Sequence, residues 1–327
     1  MTLEETHALF APFYADFHHL AALSLSERPL LLAHYTSLEV LEKIIKTNEV
    51  WFSNPLFMND LQELRFGVKK GRQIIDEILR EPAIIAAIGG DKRVGLISDG
   101  FKNSFSNFDR QLALDVYVFC LTEHDPSKHP DGLLSMWRGY GANGHGAALI
   151  FNTSFLAFQA GSPLLIAKVF YVTEQQRVDW LQKMFRRCVD VVKDNNITDA
   201  DLHAVGHQMF YLMLIYSLVS KHPGFVEEQE WRIVYLPDQD REGLLKGQYS
   251  YVLAANSIAP RLRFPIEPLH IEPRQTWSFN SILDSILLGP MHSSSLAEFA
   301  VKRMFEVLKK PEFIPKLRKS DIPLRPT

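Results

Sequence analysis

Cysteine is scarce in this 327-residue chain: Cys120 and Cys188 lie far apart and form no CxxC pair. That excludes a disulfide framework and a paired-thiolate metal site, and it fits a reducing compartment. There is no HExxH, and the histidines do not cluster at ligand spacing, so no metal site is expected. GxSxG and a phosphate-binding loop are missing too, which removes the common nucleophile elbow and the P-loop. Neither sign of charge dominates. The 35 Lys and Arg against 38 Asp and Glu give a net charge of -3, scattered along the chain, without a nucleic-acid or membrane footprint. The most apolar run, Phe210 to Val219, falls short of the roughly 20 residues that a membrane span needs. The opening Met-Thr-Leu-Glu-Glu-Thr lacks the basic stretch of a secretory leader. The expectation is a cytoplasmic protein with no metal and no membrane partner.

What is present is ordinary globular composition, 46% hydrophobic and 22% charged. Residues 3–25 read as an aromatic-rich helix that Pro12 kinks or splits, and Arg28-Pro29 ends it. Leu30 to Tyr35 reads as a buried strand. Thr36-Ser37-Leu38-Glu39 then has the spacing of a capping box, with Thr36 accepting and Glu39 reaching back. Leu38, Leu41, Ile44 and Ile45 supply that helix's apolar face, and Val50 to Ser53 is a second strand. Asn59-Asp60 reads as the cap of a helix over 61–80, and 81–110 as helix plus loop. Further strands are expected at Asp115–Leu121, Ala147–Phe151, Leu164–Val172, Trp231–Leu236, around Tyr249–Leu253, at Leu269–Ile271 and at Ile282–Leu288. Helices are expected over 178–194 and 202–220, and after a Ser295–Glu298 cap. Strands and helices mix without regular alternation, so the fold class is α+β. The reading is an N-terminal helical arm, 1–29, and a single mixed-sheet domain, 30–327, with a helical insertion at about 175–222.

The stretch Lys221-His222-Pro223-Gly224-Phe225-Val226-Glu227-Glu228-Gln229-Glu230-Trp231-Arg232 carries the sharpest signal. An apolar helix ends, the chain turns at Pro-Gly, and three of four consecutive residues are carboxylates at a strand start. Clustered acids beside a buried strand repel one another and are costly to desolvate. Glu228 and Glu230, two apart, would share one strand face and stabilise a developing positive charge; the bland reading is a solvated strand edge with Arg232 as partner. His34 and Tyr35 sit where a strand meets a capped helix, suited to a ligand hydroxyl and a ring, or else packed beside the helix start. In Trp137-Arg138-Gly139-Tyr140-Gly141, Arg138 suits a phosphate or carboxylate and Tyr140 a ring, while Trp137 reads as a core anchor. Asn143-Gly144-His145-Gly146 leads into a strand, so it reads as a tight turn rather than a dinucleotide fingerprint.

Ala33-His34-Tyr35-Thr36-Ser37-Leu38-Glu39, Trp51-Phe52-Ser53-Asn54-Pro55 with Asn59-Asp60, Cys120-Leu121-Thr122, the Ser135-Met136-Trp137 block, Glu228-Gln229-Glu230-Trp231-Arg232 and Ile286-Leu287-Leu288-Gly289-Pro290 occur in that order. Together with the tail Lys319 to Arg325 they resemble the bacterial family known as domain of unknown function 2971, from about Leu31 to Arg325. That family usually places a Pro after Asn-Asp, where this chain has Leu61. More loosely, the order of His34, the Ser135–Tyr140 block and Glu228-x-Glu230 resembles enzymes that transfer ADP-ribose from NAD. The resemblance implies NAD as co-substrate and cleavage of its nicotinamide–ribose bond, with a role in bacterial stress or phage defence. It implies Glu230 at the anomeric centre, Glu228 orienting the acceptor, and His34, Tyr35, Thr36, Ser53, Arg138 and Tyr140 around NAD. The acceptor would be a protein, a nucleic acid or a small molecule. The alternative is a non-catalytic nucleotide or effector sensor, in which Glu228 and Glu230 pair with Arg138 or Arg232. In an enzyme Glu230 should open into a cleft facing His34; in a sensor it can be locked in salt bridges.

Overall fold

The computed structural model describes residues 3–17, 30–58, 61–110, 114–153, 163–240, 242–254, 257–266, 278–292 and 294–324. The chain is α+β, built on one ten-stranded sheet that is almost entirely antiparallel. Its strands are β1 (Leu31–Thr36), β2 (Glu49–Ser53), β3 (Tyr117–His124), β4 (Ala147–Asn152), β5 (Leu164–Lys168), β8 (Glu230–Tyr235), β9 (Tyr249–Ala254), β10 (Ser257–Pro265), β11 (Leu283–Leu288) and β12 (Leu317–Lys319). Two further short strands, β6 (Phe170–Tyr171) and β7 (Ser220–Lys221), pair in parallel beside it.

The sheet branches at β3. One edge of β3 pairs with β8 along Tyr117 to Thr122, and β8 pairs in turn with β5. The other edge serves two strands: β1 meets it from Thr122 to His124, and β2 meets it only at Val118. Between those contacts β1 and β2 diverge. The Cys120 carbonyl, which no β1 amide reaches, instead lies 3.0 Å from His34 Nδ1.

The helices divide between the two faces. On one side pack α1 (Leu3–Ala15), α3 (Leu61–Ile78), α4 (Pro82–Ile88), α5 (Asp91–Arg110), α7 (Glu174–Asp194) and α8 (Leu202–Leu218), against Val118, Leu165, Ala167 and Val234. The helix α8 is buried nearly all round, as its apolar composition demands. Phe10, Phe13 and Phe17 of the N-terminal segment enter this layer, and α1 continues through Pro12 as one helix. A smaller apolar group on the same side, Ala33, Tyr35, Ala148, Ile150 and Leu287, lies under α6 (Leu134–Gly139). The opposite face carries Phe52, Phe119, Leu121, Trp231 and Tyr235, with α2 (Leu38–Thr47), α9 (Phe279–Ile282) and α10 (Ser295–Val307).

Several local expectations shift. Ser37, not Thr36, caps α2 by accepting from the Val40 amide, because Thr36 is still paired in β1 with Ala147; no return bond from Glu39 forms. Ser294 rather than Ser295 caps α10. Residues 81–110 are two helices joined at Gly89-Gly90, both at positive φ. The strands β10 and β12 were not foreseen. The expected strand at Leu269–Ile271, Asn59-Asp60 and the arm beyond residue 17 lie outside the described residues.

Candidate functional site

At the end of α8 the chain turns into β7, then into a 3-10 turn (Pro223–Glu228), and then into β8. Pro223 starts the turn and Gln229 ends it in the left-handed region, with φ 43°. That kink aims Glu228 and Glu230 at a common cation. Lys221 Nζ donates to Glu228 at 2.6 Å and to Glu230 at 3.2 Å, and its ammonium lies 4.7 Å from the Phe225 ring centroid. Arg232 grips the other side of Glu230, with Nε and Nη2 donating at 2.8 and 3.0 Å. Its Nη1 donates to the Leu218 carbonyl at 2.6 Å, which ties the network to the end of α8. Tyr171 Oη accepts the Glu230 backbone N–H at 2.8 Å. Tyr140, at the end of α6, donates its hydroxyl to Glu228 at 3.0 Å.

Two cations and two carboxylates thus balance. Lys221, Glu230 and Arg232 are buried, and Glu230 is 4% exposed. Burial alone would raise the Glu230 pKa, but the charge and hydrogen bonds of Arg232, the Lys221 ammonium and a hydrogen bond from Cys120 outweigh it and bring it down to about 2. Burial raises Tyr140 well above the usual phenol value, with Lys221 opposing the shift and Glu228 adding to it. Burial also carries Tyr171 up to about 12. Near neutral pH Glu230 is therefore charged, beside two protonated phenols.

Register separates the remaining candidates. Cross-strand partners share a sheet face, and neighbours along a strand alternate. Ala33, Thr122 and Glu230 are aligned partners, so they share the helical face. His34, next to Ala33, points to the other face. There its ring lies 4.4 Å from that of Phe119, which stacks in turn on Phe52. Burial lowers the His34 pKa against the pull of the Cys120 carbonyl, so the ring stays neutral. Tyr35 is on the helical face but spent on packing: it meets Trp137 edge-on at 4.8 Å, and its hydroxyl accepts the Leu133 N–H. Thr36 is buried at the end of β1. Ser53 faces the helical side opposite Val118, four residues along β3 from Thr122. Arg138 is exposed at the end of α6, two residues before Tyr140. The fold therefore gathers Tyr140, Glu228 and Glu230, keeps Arg138 nearby at the surface, and leaves His34, Tyr35, Thr36 and Ser53 out.

The sequence places Lys221 in the stretch that walls the site without giving it a role, and gives Tyr171 and Cys120 no part. A lysine just before Pro-Gly, at the end of a wholly buried helix, was the available signal: its ammonium needs a buried counter-charge, and the next acids supply it. Among the described residues no group of three or more His, Cys, Asp or Glu side chains could hold a metal ion, and no helix is long and apolar enough to cross a membrane.

A family described as "Protein of unknown function (DUF2971)" matches residues 136–233. The matched segment holds Arg138, Tyr140, Lys221, Glu228, Glu230 and Arg232, and leaves out β1 and β2. No curated protein and no solved structure matches the chain significantly.

Proposed function

We propose that the chain is a non-catalytic binding module for a nucleotide or nucleotide-like effector, seated above the Lys221–Glu228–Glu230–Arg232 network. The observation that carries this reading is the state of Glu230, whose carboxylate is buried and takes three hydrogen bonds from Lys221 and Arg232. The hydrogen bond from Cys120 is a fourth, so the roughly four lone-pair sites of the carboxylate are all taken and none is left for a developing cation. Above it the surface offers what a nucleotide needs: the rings of Tyr140, 43% exposed, and Phe225, 44% exposed, and the exposed guanidinium of Arg138. Aromatic faces hold a base, and a guanidinium pairs with phosphate. Titration calorimetry with NAD, ADP-ribose and ATP tests it. Binding of at least one, weakened by both Arg138→Ala and Tyr140→Ala, is expected; no binding, or binding indifferent to both changes, would overturn it.

A second reading, ADP-ribose transfer from NAD, draws support from the hydrogen bond between Tyr140 and Glu228 at the half-open surface. In it Glu228 rather than Glu230 is the carboxylate. The nicotinamide–ribose bond breaks with its electron pair on nicotinamide, Glu228 steadies the oxocarbenium ion, and the acceptor supplies the new bond. His34, on the far face, has no part in it. Nicotinamide release that Glu228→Gln abolishes would favour this reading over simple binding.

A further inference from the structure

A second cluster of ionisable groups, remote from the charge network in its role, surrounds a cavity of about 220 Å³ at the far end of the helical face. Its floor is Leu31, Ile150 and Leu287, from β1, β4 and β11. Register places all three on one face: Leu31 and Ala33 alternate to the same side, Ala33 pairs with Ile150, and Ile150 shares its side with Leu287. His124 pairs with Leu31, and Arg318 of β12 pairs with Leu287, so both side chains come to this face as well.

The register of β11 against β4 slips between Leu283 and Ser285, which makes Asp284 the extra residue of a bulge. Bulges turn a side chain out of the strand's alternation and are frequent beside functional sites. This one brings Asp284 to the cavity wall next to Ser285, whose hydroxyl donates to it at 2.8 Å. Among the described residues Arg318 forms no ion pair, and the ring of His124, a residue 7% exposed whose backbone pairs with Leu31, makes no side-chain hydrogen bond. Burial lowers the His124 pKa, with Asp284 and Asp125 opposing it and Arg318 and His129 adding to it, so the imidazole is neutral.

Unlike the Glu230 network, this cluster is open to solvent: the exposed Arg318 and Asp284 and a neutral imidazole border an apolar floor with no ion pair between them among the described residues. Asp284 and Arg318 stand about three residues apart along adjacent parallel strands, roughly 10 Å. Across that backbone span the two side chains lean over one cavity, so one small ligand that carries both charges can bridge them. The volume is below the roughly 300–1,000 Å³ of pockets for drug-sized molecules, so the occupant is small. We propose that this cavity binds a free α-amino acid with an apolar side chain: its carboxylate on Arg318, its ammonium on Asp284, its side chain over Leu31, Ile150 and Leu287.

The test is calorimetry of the full chain with each of the twenty free L-amino acids, beside isocaproate, which keeps leucine's carboxylate and loses its amine. Arg318→Gln and Asp284→Asn, both at exposed positions, are compared after circular dichroism confirms their fold. At least one apolar amino acid is expected to bind. Each variant is expected to weaken it on the order of 10- to 100-fold, the scale of a lost charged hydrogen bond. Isocaproate should bind at least as much more weakly than leucine. Silence across the whole panel, an affinity unchanged in either variant, or isocaproate binding as tightly as leucine would each overturn the assignment.

Discussion

His34 and Glu230 mark the two ends of the site expected from motif order, and the sheet itself stands between them. On one face His34 sits neutral among Phe119 and Phe52, its Nδ1 on a backbone carbonyl where the sheet splits. On the other face Glu230 sits charged among Lys221, Arg232 and Tyr171. His34 is half-buried and Glu230 buried; the first meets desolvation by losing its charge and the second by pairing it. Order along the chain ranked them as partners; a one-residue offset in register made them strangers.

The charged side of this comparison breaks hardest. Arg232→Met should leave Glu230 buried with Lys221 alone and lower the unfolding free energy by about 3–5 kcal/mol in urea titration. Glu230→Leu combined with Arg232→Met should recover most of that loss, because no unpaired charge is then buried. Recovery of nothing would mean that the network matters through packing rather than charge.

Acid sharpens the contrast next. The Glu230 pKa lies near 2 in the folded chain against an ordinary 4.5, so its stabilisation is complete above about 4.5 and drains away as pH falls towards 2. Glu230→Gln should flatten that acid limb of stability against pH. On the neutral side the folded His34 pKa is depressed, so the unfolded chain takes up a proton first as pH drops below 6.5. Stability should fall there; His124, whose folded pKa is also depressed, adds to the same slope, so His34→Phe should make it shallower rather than abolish it, while costing about 1 kcal/mol for the bond to Cys120. The smallest effects belong at the surface. Tyr140→Phe should cost less than about 1 kcal/mol, since its bond to Glu228 is half solvated. Arg138→Ala should stay within about 0.5 kcal/mol, both by thermal melting.

Local pattern carried the elements well, and pairing carried them less well. The apolar run at 30–35, the helical face of Leu41, Ile44 and Ile45, and the strand at 147–151 all form, because period and burial agree there. The capping box slipped by one residue, since Thr36 was claimed by β1. Glu228 and Glu230 do meet, but through a left-handed turn at Gln229 rather than through strand alternation. Arg232 was foreseen as a partner; Lys221 was not, although the wholly apolar helix that it follows marks its ammonium as a buried charge in need of a partner. The face on which His34 lies follows from the Ala33–Thr122 pairing, a contact between strands that hydrophobic periodicity does not encode.

The most direct test of the account is free nicotinamide after incubation with NAD, measured for the native chain and for Glu230→Gln. A Glu230 fully engaged with Lys221 and Arg232 predicts no release from either protein beyond the buffer rate. Nicotinamide released by the native chain and lost in Glu230→Gln would contradict it, and would require the Arg232 pair to open during turnover.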